Sequence, residues 1–292
     1  MCGWHESPTR SVDEGSRVVV VGKGGVGKST LTAILARSMA RRGAAVVAID
    51  ADEQRNLGAT LGIDHATLVQ VVPLALNADY VEEKTGARPG ESSGAMLRLN
   101  PDTADVVERL SIDAPDGVRL LVMGGVQRAG GGCLCPENAL LAAAIANMRL
   151  RRGEVVIMDT HAGVEHFGRA LARGFDRALV VVEPTFNSVQ VGLETARLAK
   201  ELGIHTIGLV MNRCRNYDDV TRVMAYVERL GGFEFSSITE LPFDESVLAN
   251  EPSTAGLLDD SPLVTALRPL TALLLNPPTS EPERYGPKVM ST

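Results

Sequence analysis

The string GKGGVGKST at residues 22–30, set directly behind the β-branched run RVVVVG, constrains this chain more than any other stretch. It fits the pattern G-x-x-x-x-G-K-[ST] between a strand and a helix, which is a phosphate-binding loop. Gly24, Gly25 and Gly27 let successive backbone N–H groups turn inward around an anion, with Val26 between them, and the dipole of the following helix adds positive potential there. Lys28 is placed to neutralise β and γ phosphates, Ser29 offers a hydroxyl to Mg²⁺, and Thr30 continues the loop into the helix.

Such a loop requires a strand before it and a helix after it, and the rest of the chain repeats that alternation. RVVVVG, AAVVAID, VRLLVMG, EVVIMD, RALVVVE and HTIGLVMN read as strands apolar on both faces. Helical patterns cover 28–42, 137–150, 188–202 and 218–230. The expected fold is α/β, doubly wound on a mostly parallel sheet, in one domain over 17–275. Residues 62–116 break the rhythm with ARPGESSG and NPDTADVVERLSIDAPDG and read as an inserted lobe over the sheet. Residues 1–16 and 276–292 are polar or proline-rich and read as disordered ends.

Composition then removes several function classes. The 29 basic and 36 acidic residues leave a net charge of −7, which argues against unspecific binding to nucleic acid or an anionic membrane. Aromatic residues make up only 4% of the chain, so base stacking is a poor source of affinity. No apolar run reaches the roughly 18 residues of a spanning helix, and the N-terminal stretch has no signal-peptide core, so a cytoplasmic location is expected. Four cysteines are too few for a disulfide framework and read better as thiols or metal ligands.

A second lysine, Lys23, follows the first glycine of the loop. With it the string resembles the deviant Walker A motif of the SIMIBI ATPases related to MinD, ParA and the nitrogenase iron protein. The resemblance implies ATP and ADP as ligands, hydrolysis tied to homodimer formation, and a Lys23 that reaches the nucleotide of the facing subunit. A cation supplied in trans is worth roughly 10³ to 10⁵ in phosphoryl-transfer rate.

The second strand ends in AIDADEQRNLG, so Asp50 and Asp52 stand at its C-terminal edge, where open α/β sheets bind ligands. They look like the family's switch I aspartates, with Asp52 orienting the attacking water, Asp50 nearer Mg²⁺, and Asn56 within reach of the phosphates. EVVIMD ends at Asp159 and runs into THAGVEHFGR, which resembles a Walker B aspartate followed by switch II. Asp159 would then hold Mg²⁺ through water, and the Gly163 N–H would sense the γ-phosphate. His161 and His166 fit turn or helix-surface positions better than ligand positions. VMNRC ends at the place where family members recognise adenine, which assigns that role to Asn212, with Arg213 stacking beside the base. LPFDESV resembles the loop near adenine and ribose, with Pro242 and Asp244 as weaker candidates.

GGGCLCPENALL sets Cys133 and Cys135 one residue apart. Two thiolates cannot close a tetrahedral soft-metal site, but two copies facing across a dimer axis supply four, which suits Zn²⁺ and some Ni²⁺ geometries. Taken together, GKGGVGKST, DADEQRNLG, LRLNPDTAD, LLVMGGVQRAGGGCLCPENALL, MDTHAGVEHFGR, VVVEPTFNSV and VMNRC resemble the CooC-type ATPases. These help insert nickel into carbon monoxide dehydrogenase and related enzymes. The resemblance spans about residues 17 to 250 and implies an intersubunit metal site at the CxC and a carbon monoxide dehydrogenase-like client. EQR in place of a proline-asparagine switch I, and His161 where an acidic residue is common, depart from the family pattern. Cys2 and Cys214 are weak ligand candidates.

The leading expectation is therefore an ATP-dependent dimeric metallochaperone ATPase for Ni²⁺ or Zn²⁺. A positioning ATPase of the ParA or MinD kind would want a basic surface or a basic amphipathic C-terminal helix, and LVTALRPLTALLLNPP carries one arginine. An electron donor like the nitrogenase iron protein would need four cysteine ligands per dimer, which this chain can also supply.

Overall fold

The structure is a computed structural model and describes residues 15–86, 88, 103, 105–124, 140, 143–145, 148, 150–161 and 174–276. In chain order the elements are β1 (Ser16–Gly22), α1 (Lys28–Ala40), β2 (Ala45–Ala51), α2 (Asn56–Leu61), α3 (His65–Gln70), α4 (Ala78–Thr85), α5 (Val106–Leu110), β3 (Ile112–Asp113) and β4 (Arg119–Val122). They continue with β5 (Glu154–Thr160), β6 (Arg177–Val182), α6 (Phe186–Glu201), β7 (Thr206–Cys214), α7 (Tyr217–Arg229), β8 (Ser237–Pro242), α8 (Glu245–Ala249) and α9 (Pro262–Leu275).

The strands form an eight-stranded sheet in the order β3-β4-β2-β5-β1-β6-β7-β8. Every pairing is parallel except β3 with β4. The chain leaves β1 toward one half of the sheet and later returns to the other half at β6, so the C-terminal end of β1 lies where the winding reverses. Open α/β sheets bind ligands at that point. The six strands read from the sequence are β1, β2, β4, β5, β6 and β7, and the structure adds β3 and β8. β8 is an edge strand with an alternating half-buried and exposed pattern, which lacks the continuous apolar run of the central strands.

Alternation along the strands divides the interior into two apolar layers. Val18, Val20, Ala48 and Ile157 face α1, α2 and α9, whereas Val19, Val21, Ile49 and Met158 face α4, α5, α6 and α7. In α1, alanines at 33 and 36 alternate with Ile34, Leu35 and Met39, all fully buried, so small side chains let the helix lie close to the sheet. In α9, Leu263, Leu267, Leu270 and Leu274 repeat at helical spacing and bury one face. Ser261 caps that helix by accepting from the Leu263 and Val264 N–H groups. The last described helix thus has its apolar face in the core. Within residues 62–116, Leu74, Tyr80, Val81 and Val106 join the layer opposite α1. No helix among the described residues is long and apolar enough to cross a membrane.

Candidate functional site: a phosphate loop facing three aspartates

The turn between β1 and α1 follows from two glycines that nothing else replaces. Gly22 has φ 146° and a Cβ there would sit 2.3 Å from the Val181 carbonyl oxygen of β6. Gly27 has φ 93°, and a Cβ there would sit 2.6 Å from Asn212 Nδ2. As the residue preceding α1, Gly27 supplies no capping side chain, and the first turn of α1 holds no acidic residue. By contrast Asp64, Asn216, Asp244 and Ser261 all cap their helices through their side chains. The first-turn N–H groups of α1 are therefore left for an external anion.

Lys28 is 7% exposed, and its Nζ donates to the carbonyls of Gly22 at 3.3 Å and Lys23 at 3.1 Å. The ammonium is folded back over the loop that would hold the phosphates. Burial pulls its pKa below the ordinary lysine value, and the charges of Asp159 and Asp52 oppose that shift. Lys23, by contrast, is exposed, as are Gly24 and Gly25; Val26 is buried, and Ser29 and Thr30 are half-buried.

Strand register brings two of the aspartates together: Asp50 on β2 is directly opposite Asp159 on β5, and Asp159 is paired in turn with Val20 on β1. Parallel strands in register point paired residues to one face, here the α1 face. Both carboxylates are 0% exposed. Asp50 accepts from the Asp52 N–H at 3.1 Å and the Leu57 N–H at 3.0 Å. Burial nonetheless pushes its pKa up to about 7, with those two N–H groups and the Arg55 charge working against the shift and the Asp52 charge adding to it. Neither carboxylate oxygen of Asp159 has a hydrogen-bond partner. Its pKa is also raised, first by burial and then by the negative charges of Asp50 and Asp52, while Ser29 and Lys28 pull the other way. A buried, orphaned carboxylate beside a hydroxyl and a lysine is an incomplete polar cluster, and a hard divalent cation between Ser29 and Asp159 would complete it. The residues present fit Mg²⁺. Among the described residues no group of three or more His, Cys, Asp and Glu side chains could hold a metal ion. Phosphate oxygens and water would supply the remaining ligands, as is usual for Mg²⁺.

Asp52 is half-buried and accepts from the Gln54 N–H at 2.9 Å, which folds the segment after β2 into a turn. Asn56 opens α2, but its side-chain amide donates to Gln54 Oε1 at 3.2 Å. Asn212 arrives from the end of β7, and its Nδ2 donates to the Val26 carbonyl at 2.8 Å while its Oδ1 accepts from the Arg213 N–H at 2.9 Å. Arg213 has φ 61° and its guanidinium pairs with Glu183. Pro242 ends β8 opposite Cys214. The Asp244 carboxylate accepts from the Ser246 N–H and hydroxyl and from the Ser261 hydroxyl, so it joins α8 to α9. Cys214 is buried with its thiol pushed up to about 11 by burial, the reverse of a ready metal ligand. Gly163, His166, Cys2, Cys133 and Cys135 lie outside the described residues.

Sequence reasoning did not assign Arg55, although the charge of this residue acts on Asp50. Nor did it assign Asn212 to the phosphate loop. The available signal for Arg55 was the departure EQR from the usual switch I; for Asn212 there was none, since the contact joins residues 186 positions apart.

An anion cradle on one strand end, faced by acidic strand ends that can share a Mg²⁺ with the phosphates, is the arrangement of a P-loop nucleotide hydrolase. Comparison with known proteins is consistent with this class and narrows it. The chain matches the CobQ/CobB/MinD/ParA nucleotide binding domain over residues 18–253 and belongs to that family. It is 35% identical over 246 residues to the carbon monoxide dehydrogenase accessory protein CooC of Rhodospirillum rubrum, covering 84% of this chain and 90% of that protein. It is 34% identical over 235 residues to an uncharacterized ATP-binding protein of Methanocaldococcus jannaschii, covering 80% and 88%. Among solved structures, MinD in the MinC:MinD cell division complex of Aquifex aeolicus superposes with a TM-score of 0.63 at 21% identity, covering 93% of this chain and 99% of that one. A ParA family ATPase of Chlorobium tepidum gives 0.59 at 17%, covering 89% and 98%. These two likenesses concern the fold alone. The chain is a P-loop ATPase of the MinD/ParA kind, similar to CooC.

Proposed function

We propose that this ATPase acts as an ATP-dependent homodimer that carries Ni²⁺ or Zn²⁺ between paired Cys133 and Cys135 thiolates and assists metal-centre maturation of a carbon monoxide dehydrogenase-like enzyme. The observation that carries this reading is the 35% identity to CooC over 84% of the chain, joined to the GGGCLCPENALL string.

The chemistry assigned to each residue follows from its surroundings. Backbone N–H groups of residues 24–28 and the Lys28 ammonium bind the β and γ phosphates. Lys28 exchanges its present carbonyl partners for phosphate oxygens, and the new contacts are stronger because they are charge-assisted. Ser29 and Asp159 would hold Mg²⁺, which when bound neutralises the charge shared between the β and γ phosphates. Asp50 is held by two N–H groups and sits behind Asp159 as a second carboxylate of that pocket. Asp52, half-buried at the mouth, orients the water that attacks the γ-phosphate. The exposed Lys23 serves the facing subunit, which makes turnover depend on the dimer. Asn212 and Arg213, with Pro242, are assigned to the base, in keeping with their resemblance to the family's adenine-recognising strand end. The Gly163 N–H reads the γ-phosphate and passes its presence to the segment that follows Cys135. Ni²⁺ or Zn²⁺ is cargo here, and its uptake releases protons because thiolate is the binding form.

The test is light scattering with metal titration on anaerobic protein, comparing wild type with the Cys133→Ser/Cys135→Ser double variant, with and without an ATP analogue. One Ni²⁺ or Zn²⁺ per dimer, lost in the double variant, is the expected result. Nucleotide-driven dimerisation with neither metal bound would remove the cargo assignment and leave a positioning role of the MinD or ParA kind. Visible absorption near 400 nm would instead favour an iron-sulfur electron donor.

A further inference from the structure

Three non-glycine residues have positive φ among the described residues: Arg55 at 54°, Asp116 at 62° and Arg213 at 61°. L side chains disfavour this region, so each position asks what holds it there. Asp116 is clamped by ion pairs to Arg37 and Arg41, and Arg213 by its pair with Glu183. Arg55 has no such ion pair among the described residues. Its side chain is half-buried, and its Nε and Nη2 are buried with nothing to donate to. A guanidinium whose N–H groups have lost water without gaining acceptors is unfavourable, and an arriving anion would reverse that.

The position of Arg55 says which anion. The residue lies in the turn that joins β2 to α2, three residues after Asp52 and immediately before Asn56. Its charge acts on Asp50, and Asp52 in turn acts on Lys28. The β2–α2 turn therefore faces the end of the phosphate loop where Lys28 neutralises the β and γ phosphates. Three aspartates act on one another and on Lys28 there, and Lys28 and Arg55 are the cations that oppose them among the described residues. Guanidinium is the side chain best matched to phosphate oxygens, because its planar N–H groups engage two at once.

The geometry points to Arg55 as a further phosphate-contacting residue, which binds the terminal phosphate of the nucleotide held by its own chain. The orphaned Nε and Nη2 are the donors. Arg55 then distinguishes a triphosphate from a diphosphate. This inference rests on the nucleotide site alone and is independent of the cysteine pair.

The test is equilibrium binding of a non-hydrolysable ATP analogue and of ADP, each with Mg²⁺ and no transition metal, at protein concentrations where scattering reports a monomer. Arg55→Gly is expected to weaken the analogue about ten- to a hundred-fold, the loss of a charge-assisted hydrogen bond, with ADP affinity unchanged within about twofold. Arg55→Lys should recover part of the loss, since it restores charge without the planar fork. Glycine suits a φ of 54°, so the thermal midpoint of Arg55→Gly should equal or exceed that of wild type. Equal weakening of both nucleotides, or no weakening of either, would overturn the assignment. Wild-type protein that binds neither nucleotide would overturn it together with the P-loop site.

Discussion

The side-chain amide of Asn212, at the end of β7, donates to the backbone carbonyl of Val26 at 2.8 Å. A residue 186 positions away thus holds the apex of the phosphate loop, and Gly27 is required beside it because a Cβ there would meet the same amide. The loop is shaped by β7 as much as by its own glycines. The apex of the loop is therefore tied to the end of β7 through one hydrogen bond.

Asn212→Asp replaces the donor facing Val26 with a carboxylate, so two acceptors oppose each other. Nucleotide affinity should fall at least about tenfold, and stability should fall by about 1 to 2 kcal/mol, readable in nucleotide titration and chemical denaturation. Asn212→Ala, which only removes the bond, should lie between wild type and Asn212→Asp in both measurements. An Asn212→Asp variant with wild-type affinity would separate the loop from β7.

Gly27→Ala meets two obstacles, a φ of 93° and a contact of 2.6 Å with Asn212 Nδ2. The positive φ alone costs roughly 1 to 2 kcal/mol. The combined effect should appear as a lowered unfolding midpoint and a loss of nucleotide binding larger than that of Gly43→Ala. Gly43 also has positive φ, 89°, but nothing lies near its Cβ position.

Lys28 and Lys23 should separate in binding experiments. Lys28→Ala removes the buried cation and is expected to abolish nucleotide binding, whereas Lys23→Ala should leave monomer binding near wild type and lower turnover by about 10³-fold or more. Isothermal titration on monomer and phosphate release at dimer-forming concentrations read the two effects. Equal defects in both assays for Lys23→Ala would place that lysine in its own chain's site.

Asp52→Asn should keep the turn, because the amide oxygen still accepts from the Gln54 N–H. If Asp52 orients the attacking water, turnover should drop by about 10²-fold or more while the ATP-bound dimer accumulates in size-exclusion chromatography. Full turnover in this variant would remove Asp52 from the mechanism.

Asp50 and Asp159 make the nucleotide-free fold sensitive to pH. Both are raised above the ordinary aspartate value of 3.8, Asp50 to about 7. A raised folded pKa means that the native state holds protons the unfolded chain has released. The stabilisation is complete below about pH 4 and is lost as pH rises toward about 7. Asp159→Asn removes the charge from a buried carboxylate whose desolvation outweighs the opposing pull of Ser29 and Lys28, and should therefore be more stable than wild type by about 2 kcal/mol at pH 8. That advantage should shrink steadily as pH falls toward 4. Saturating Mg²⁺ and ATP analogue should stabilise wild type more than the variant; thermal unfolding across pH, with and without both ligands, measures each effect.

The contiguous parts of this protein were legible in one dimension. Strands buried on both faces are runs of Val, Ile and Leu, and the phosphate loop is nine consecutive residues whose N–H groups, lysine and hydroxyl act within one turn of backbone. Asp50, Asp52 and Asp159 stood out because strand ends are visible as places where such runs stop. Local rules sufficed for these, since the forces that set them act between near neighbours. β8 was missed because an edge strand needs to be apolar on fewer positions.

What the chain could not declare locally was decided by packing. Asp50 and Asp159 become a buried, mutually repelling pair only because β2 and β5 are neighbours in register. Asn212 becomes a strut of the phosphate loop only because β7 ends beside it. Arg55, an ordinary surface-type residue by sequence, acquires orphaned donors only when folding of the turn before α2 buries its Nε and Nη2. Desolvation is the common physical reason. A side chain's chemistry depends on what replaces water around it, and that replacement comes from residues brought together across the sheet.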